Sequence, residues 1–313
     1  MERLTTILSS RGLLKSCDHH NKSPVSTNNQ IDINLLDGLK PGNSIYICTN
    51  ALDNFVENFL NKINVEFVLV TGDSDMPISK DSEIVSSIRS LLDCPYLIKW
   101  FAQNLQLPHP KLEILPIGLD YHTMQNHPGF WGMSPVSSVA QEFYLLNVLS
   151  SSRAILDKYP LAYCNWHFAI DRGDRISCRE LVDKNICHYQ DAHLPRKFTW
   201  NFQAEFMFTL SPEGAGMDCH RTWESIILGS IPIIKENDLK SIFKNLPIIL
   251  VDQWSDISYD ILINRARDIL KKEYDFNVMF REHWVAKFRG QNYSPLPLMK
   301  YEQFLEFLTD HKA

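Results

Sequence analysis

Short apolar runs recur along the chain, and between them the apolar positions fall three or four residues apart. "SIYICT" (44–49) is a continuous apolar run and reads as a buried strand. "LDNFVENFLNKI" (52–63) sets Phe55, Val56, Phe59, Leu60 and Ile63 at helical spacing. "EFVLVTG" (66–72) is a second strand, and "SEIVSSIRSLL" (82–92) a second helix with Ile84, Val85, Ile88, Leu91 and Leu92 on one face. "YLIKWFAQN" and "KLEILPIG" read as further strands. The pattern loosens over 119–160, which ends in the helix-like run "SSVAQEFYLLNVLSSSRAIL", and then restarts. Strands are expected at 161–168, 205–210, 231–235 and 246–251, with helices at 177–185, 218–228 and 239–245. "YDILINRARDILKKEY" and "KYEQFLEFLTDHK" supply closing helices.

Strands alternating with helices predict parallel sheets covered by helices on both faces. The expected division is an N-terminal Rossmann-like domain (1–155), with residues 1–43 as an extended lead-in, and a C-terminal Rossmann-like domain (156–298). A last helix (299–313) is expected to cross back to the first domain. Two such halves facing each other leave a cleft, the usual place for a ligand.

Composition narrows the class. The 313 residues are 44% hydrophobic and 22% charged, ordinary for a globular chain. A net charge of −6 argues against an electrostatic binder of nucleic acid or anionic lipid, while leaving room for a local basic pocket. Seven scattered cysteines without a Cys-x-x-Cys read as reduced thiols and speak against a zinc site. No apolar stretch approaches the ~20 residues that span a bilayer. The N-terminal "MERLTTILSSRGLLKSC" is broken by Arg11, Gly12 and Lys15 and does not read as a signal peptide. The expectation is a soluble, cytoplasmic protein.

The segment richest in chemistry is "FTLSPEGAGMDCHRTWESIILGSIPIIKEN" (208–237). A buried strand ends at Leu210. A loop with Gly214 and Gly216 follows, and a helix is expected from Asp218, its capping residue. Glycines let backbone N–H groups approach a ligand, and a helix N-terminus adds unpaired N–H groups with partial positive charge. Arg221, in the first turn, adds a fork of donors suited to phosphate oxygens, and His220 beside it is a further donor. Glu224, three residues on, shares the face of Arg221, where a carboxylate accepts from sugar hydroxyls. Trp223, Ile226 and Ile227 point into the core. Each residue also has a plainer reading: a helix cap for Asp218, a surface ion pair for Arg221 with Glu224, a simple turn for the glycines. Their coincidence at one strand-to-helix junction favours a nucleotide diphosphate site.

This segment resembles the donor-site segment of exostosin-like glycosyltransferases of the GT-B architecture, two facing α/β domains. Ser211, Pro212, Gly214, Gly216, Arg221, Glu224, Gly229 and Pro232 carry the resemblance, which is specific over roughly 198–255 and weaker elsewhere. It implies a nucleotide-sugar donor, most often UDP-linked, with Arg221 on the diphosphate and Glu224 on the donor's sugar or ribose. Ser211, Pro212, Glu213, Gly214 and Gly216 would line that site. The same combination is similar to exostosin-like proteins of large algal DNA viruses, some of them similar to xylosyltransferases, so xylose is the narrower expectation and a host cytoplasm the corresponding location. Retaining enzymes of this architecture carry Glu-x7-Glu ending at the equivalent of Glu224. Here the first position is Gly216, which favours inversion. Glu205 and Glu213 have the spacing but straddle the strand.

Inversion requires a base that takes the proton from the acceptor hydroxyl, on the far side of the cleft from the diphosphate. "LVTGDSDMP" places Asp73 and Asp75 after a strand of the first half, and "IPIGLDYHTM" offers Asp120 and His122 as acceptor-side alternatives. An Asp-x-Asp pair can instead hold a metal and a diphosphate, but the diphosphate already has a site in the other half. Asp73 is the first expectation for the base and Asp75 the second, against the plainer reading that both cap the following helix or form an Asx-turn. No cofactor is expected, with Mg or Mn at most stimulatory. The partners expected are a nucleotide sugar and an oligosaccharide or glycoprotein acceptor.

Among Arg172, Arg175 and Arg179, Arg175 is the candidate for a second diphosphate contact; a solvated face is the plainer reading. His167 at a strand end reads as a core histidine. The aromatics of "WFAQN" (100–104) and "FWGM" (130–133) could face a sugar but more commonly pack. Two other classes compete: a different nucleotide-phosphate-dependent transferase, and a non-catalytic glycan- or nucleotide-binding module. The first should carry a phosphate-binding lysine in the loop, and none occurs between Ser211 and Arg221.

Overall fold

A computed structural model describes residues 2–126 and 136–310. The aromatics of "FWGM" lie outside the described residues. The first unit begins with a short helix, α1 (Ser10–Leu14), followed by β1 (Asn43–Cys48), α2 (Leu52–Asn58), β2 (Phe67–Gly72), α3 (Val85–Asp93), β3 (Leu97–Ala102) and β4 (Leu112–Ile114). Its four strands are parallel and run in the order β1-β2-β3-β4. When a parallel sheet grows in one direction, right-handed crossovers put every connecting helix on one face. Ile45, Ile47, Leu69 and Trp100 accordingly pack with Leu52, Phe55, Ile88 and Leu91 of α2 and α3.

The opposite face carries Tyr46, Val68, Val70 and Phe101, the other phase of the strand alternation, and needs a different cover. α1 supplies Leu13 and Leu14 from one end of the chain. Helix α11 (Arg281–Arg289) supplies Trp284 and Phe288 from the other, with the Phe288 ring 4.9 Å from that of Phe101. This corrects two expectations. The start of the supposed lead-in is core, every residue of α1 being buried. The helix that returns to the first sheet is α11, which the apolar periodicity does not announce.

After α4 (His122–Asn126) and α5 (Ser138–Ser151), the second unit comprises β5 (Tyr159–Cys164), α6 (Arg175–Leu181), β6 (Cys187–Tyr189), α7 (Arg196–Ala204), β7 (Phe206–Leu210), α8 (His220–Ile227), β8 (Ile231–Lys235), α9 (Lys240–Phe243), β9 (Ile249–Val251) and α10 (Tyr259–Lys271). A two-stranded antiparallel ribbon, β10 (Glu273–Tyr274) with β11 (Met299–Lys300), leads into α12 (Tyr301–Asp310). The second sheet is parallel with order β6-β5-β7-β8-β9. α5 adds Leu145, Val148 and Leu149 to the core beneath this sheet. α12 joins the same core rather than the first sheet: Phe304 stacks on Phe276 at 3.8 Å, and the Tyr301 hydroxyl donates to Ile226 O at 2.7 Å. The whole is the α/β arrangement of two units with parallel sheets expected from the sequence, with the loops after the strands of each sheet meeting between the units. No helix among the described residues is long and apolar enough to cross a membrane.

Candidate functional site

In an open parallel sheet, ligands bind outside the carboxyl ends of the strands, where the strand order reverses. In the second sheet that place lies between β5 and β7, because β6 is added on one side of β5 and β7 to β9 on the other. The two strand ends are joined there: Trp166 Nε1 donates to Leu210 O at 3.1 Å. Ser211, next after β7, is buried and shares a 2.9 Å hydroxyl contact with Thr222 of α8.

Arg221 reaches back from the first turn of α8 to this junction. Its guanidinium lies 3.4 Å from Asn165 Oδ1, Ser211 Oγ and Pro212 O. Arg175, the first residue of α6, donates to Ala169 O at 2.9 Å. Its Nη2 lies 3.0 Å from where a Cβ on Gly214 would stand, so the glycine leaves room for the guanidinium against the loop. Burial, and then the charge of Arg221, lower the pKa of Arg175 from its usual value. Neither Arg175 nor Arg221 forms an ion pair with a carboxylate among the described residues. Two half-buried cations without a carboxylate partner among the described residues are an arrangement suited to an anion.

The loop between Ser211 and α8 is tight, with Gly214 N donating to Gly216 O at 3.1 Å. The first unit holds it from the other side. Asn104, in the left-handed region at φ 50°, accepts Asp218 N at 3.1 Å and donates to Ser74 O at 3.1 Å. Asp218 does not cap α8, whose N-cap is Cys219 without a side-chain bond. Its carboxylate turns away from the helix start, accepting Ile117 N at 2.7 Å and Trp223 Nε1 at 2.8 Å. Burial raises the Asp218 carboxyl to about 6, against the lowering effect of those two donors. His220 Nδ1 lies 2.7 Å from Gly118 O, so its imidazole joins the units rather than facing the arginines.

A cleft of about 480 Å³ opens between the units on the outer side of this loop, lined by Asp75, Asn104 and Gln106 from the first unit and Arg172, Glu213 and Gly216 from the second. Asp75 is exposed in it, and its Oδ1 lies 3.2 Å from the Cβ position of Gly216. A side chain at 216 would crowd the ends of Asp75 and Asn104. Glu213 turns to Asn237, accepting its amide at 2.9 Å.

Asp73 lies elsewhere. It has φ 57°, is 6% exposed, and its carboxylate pairs with Arg11 at 2.9 Å and accepts Ser26 Oγ at 2.8 Å. His122 bridges it to Asp120, with Nε2 3.8 Å from Asp73 Oδ1 and Nδ1 3.1 Å from Asp120 Oδ1. Arg196 of α7 continues the chain of charges, 3.6 Å from Asp120 Oδ2 and 3.0 Å from Glu224 Oε1. It also donates to Asp120 O at 2.9 Å. Despite burial, the charges of His122, His220 and Arg196 hold the Asp120 carboxyl below the usual range. Burial outweighs the two carboxylates and lowers the His122 pKa. Glu224 thus pairs with Arg196, not with Arg221 three residues before it. Neither Asp73 nor Asp75 caps α3, which starts at Val85 after Ile84.

Of the residues singled out from the sequence, the structure gathers Arg175, Ser211, Pro212, Gly214 and Arg221 at the switch point, and Asp75, Glu213 and Gly216 along the adjoining cleft. Asp73, Asp120, His122 and Glu224 lie in a buried network, with His220 beside it. The sequence pattern does not single out Arg11, Asn165 or Arg196, and of "WFAQN" it is the amide Asn104 that reaches the loop. Arg196 begins a helix that the apolar pattern does not reveal, and Arg11 reads in sequence only as a break in an apolar run. No group of three or more His, Cys, Asp or Glu among the described residues is placed to hold a metal ion.

No protein-family model and no curated protein matches the chain. Among solved structures, the chain is similar to one described as OtsA in its apo form, at 12% identity over 88% of this chain and 74% of that one, with a TM-score of 0.39. It is also similar to one described as trehalose-6-phosphate from E. coli bound with UDP-2-fluoro glucose, at 13% identity over 88% of this chain and 75% of that one, with a TM-score of 0.38. Likenesses at this level carry no argument about function.

Proposed function

We propose that this chain is an inverting glycosyltransferase that moves a sugar from a UDP-linked donor to an oligosaccharide or glycoprotein acceptor. The observation that carries the reading is the pair of uncompensated guanidiniums, Arg175 and Arg221, at the β5/β7 switch point beside the Gly214–Gly216 loop. The diphosphate lies against them. Ser211, Pro212 and the loop backbone shape the site. As the bond from the anomeric carbon to the diphosphate breaks, the charge that develops on the leaving phosphate meets donors already in place.

The base is assigned to Asp75 in preference to Asp73. Asp75 is exposed in the cleft facing the loop, whereas the Asp73 carboxylate is committed to Arg11 and Ser26. The acceptor hydroxyl gives its proton to Asp75 and its oxygen attacks the anomeric carbon from the face opposite the diphosphate, in one displacement. Asn104, Gln106 and Arg172 line the acceptor's approach. Glu224 is given a positioning part: it holds Arg196 over Asp120, and with His122 and Asp73 it ties the units together. Xylose remains the narrower donor proposal, resting on the resemblance of residues 198–255 alone.

The test is a thermal-shift screen of nucleotide sugars and nucleoside diphosphates, followed by donor hydrolysis. UDP should raise the melting temperature of the wild type and not that of Arg221→Ala. Absence of any shift with every nucleotide would overturn the reading, and binding without transfer or hydrolysis would reduce the protein to a binding module.

A further inference from the structure

We infer that the rings of Phe168 and His193 form the seat of the donor's nucleobase. The inference rests on the donor reading above and adds to it the part of the ligand the arginines do not touch.

Residues 165–169, leaving the end of β5, are tied at both ends to the proposed diphosphate site. Asn165 Oδ1 takes Arg221 Nε, and Ala169 O takes Arg175 Nη1. Between these ties the segment carries three aromatic rings, of which Trp166 is buried and His167 and Phe168 continue outward. His167 lies 4.1 Å from Phe168 at 35°, and Phe168 lies 4.0 Å from His193 at 32°, a run of three rings in contact. His193 follows β6, the edge strand on the far side of β5 from β7. Phe168 and His193 thus stand on the loops that leave β5 and β6, on the side of the switch point away from β7.

The stack is open to solvent. Phe168 is 39% exposed and His193 is exposed, unusual for a ring cluster whose other member, His167, also packs edge-on against Tyr189 at 5.5 Å. A base π-face can extend such a stack whatever its substituents.

Calorimetry on the full chain tests this with two probes, UDP and inorganic pyrophosphate. Phe168→Ala should weaken UDP roughly tenfold while leaving pyrophosphate within about twofold, from the usual strength of base stacking. Phe168→Tyr should restore UDP binding. Arg221→Ala should weaken both probes. Phe168→Ala without effect on UDP, or with an equal loss for both probes, would overturn the base seat while leaving the donor site standing. Wild type that binds neither probe would overturn the donor reading and this inference together.

Discussion

Asp218 of the second unit accepts the backbone proton of Ile117 of the first at 2.7 Å. The bond links the loop that faces the arginines to the loop that follows β4, and it does so through a fully buried carboxylate raised to about 6 chiefly by burial. The same residue takes the indole of Trp223, so one side chain joins the switch-point loop, the core of α8 and the neighbouring unit.

The pH dependence follows from that relationship. A carboxylate raised above its unfolded value binds its proton first in the folded state. Its contribution to stability therefore grows as pH falls from about 6 towards about 4, and is smallest above 6, where both states are charged. Asp218→Asn lacks this titration and leaves an amide N–H₂ facing a donor. The melting temperature of the wild type relative to Asp218→Asn should rise as pH falls through that window. A difference that stays flat between pH 4 and 7 would show that the carboxyl titrates where an exposed aspartate does.

Arg221 should matter to binding more than to folding, since its contacts at 3.4 Å are long. Arg221→Ala should lower kcat/KM for transfer by on the order of 10²–10³, as loss of a pre-organised charge donor does. Arg221→Lys should recover only part, because a point charge does not reproduce the fork. Steady-state kinetics on both variants, with circular dichroism to confirm the fold, decides it.

Asp75 and Asp73 should separate cleanly. Asp75→Asn removes an exposed carboxylate and should leave stability and UDP affinity unchanged while turnover falls by about 10²–10⁴. Asp73→Asn instead leaves Arg11 buried without its counter-charge, costing about 3–5 kcal/mol of stability. Its left-handed backbone is no confounder, since asparagine tolerates that region. Urea unfolding and product formation, measured side by side, should show opposite patterns for the two variants.

Arg196 holds two buried carboxylates, Asp120 and Glu224. Arg196→Ala should destabilise the fold by about 3–5 kcal/mol, because both charges remain buried when it leaves. Adding Glu224→Leu should recover part of that loss. An Arg196→Ala protein as stable as the wild type would mean that water already compensates these charges.

Much of this was legible in one dimension. Strands at 66–72, 205–210 and 231–235 appear within a residue or two because a continuous apolar run bounded by turn residues has few other uses. The loop from Ser211 to Arg221 was legible as a strand-to-helix junction because glycines, a helix start and an arginine coincide over a few residues. α1 and α11 were not legible as partners. Each is short or weakly patterned, and each is buried only because a sheet grown in one direction leaves a face uncovered.

The sequence by itself determined the α/β alternation, the two sheets and the place of the glycine loop, since these depend on local periodicity and on residues close in the chain. Tertiary structure alone decided the partners of the charges. Arg11 meets Asp73, Arg196 meets Glu224, and Asp218 serves the neighbouring unit rather than its own helix. Which carboxylate stays open in the cleft depends on which cations the fold brings within reach, and Coulomb attraction depends on separation in space, not on separation along the chain.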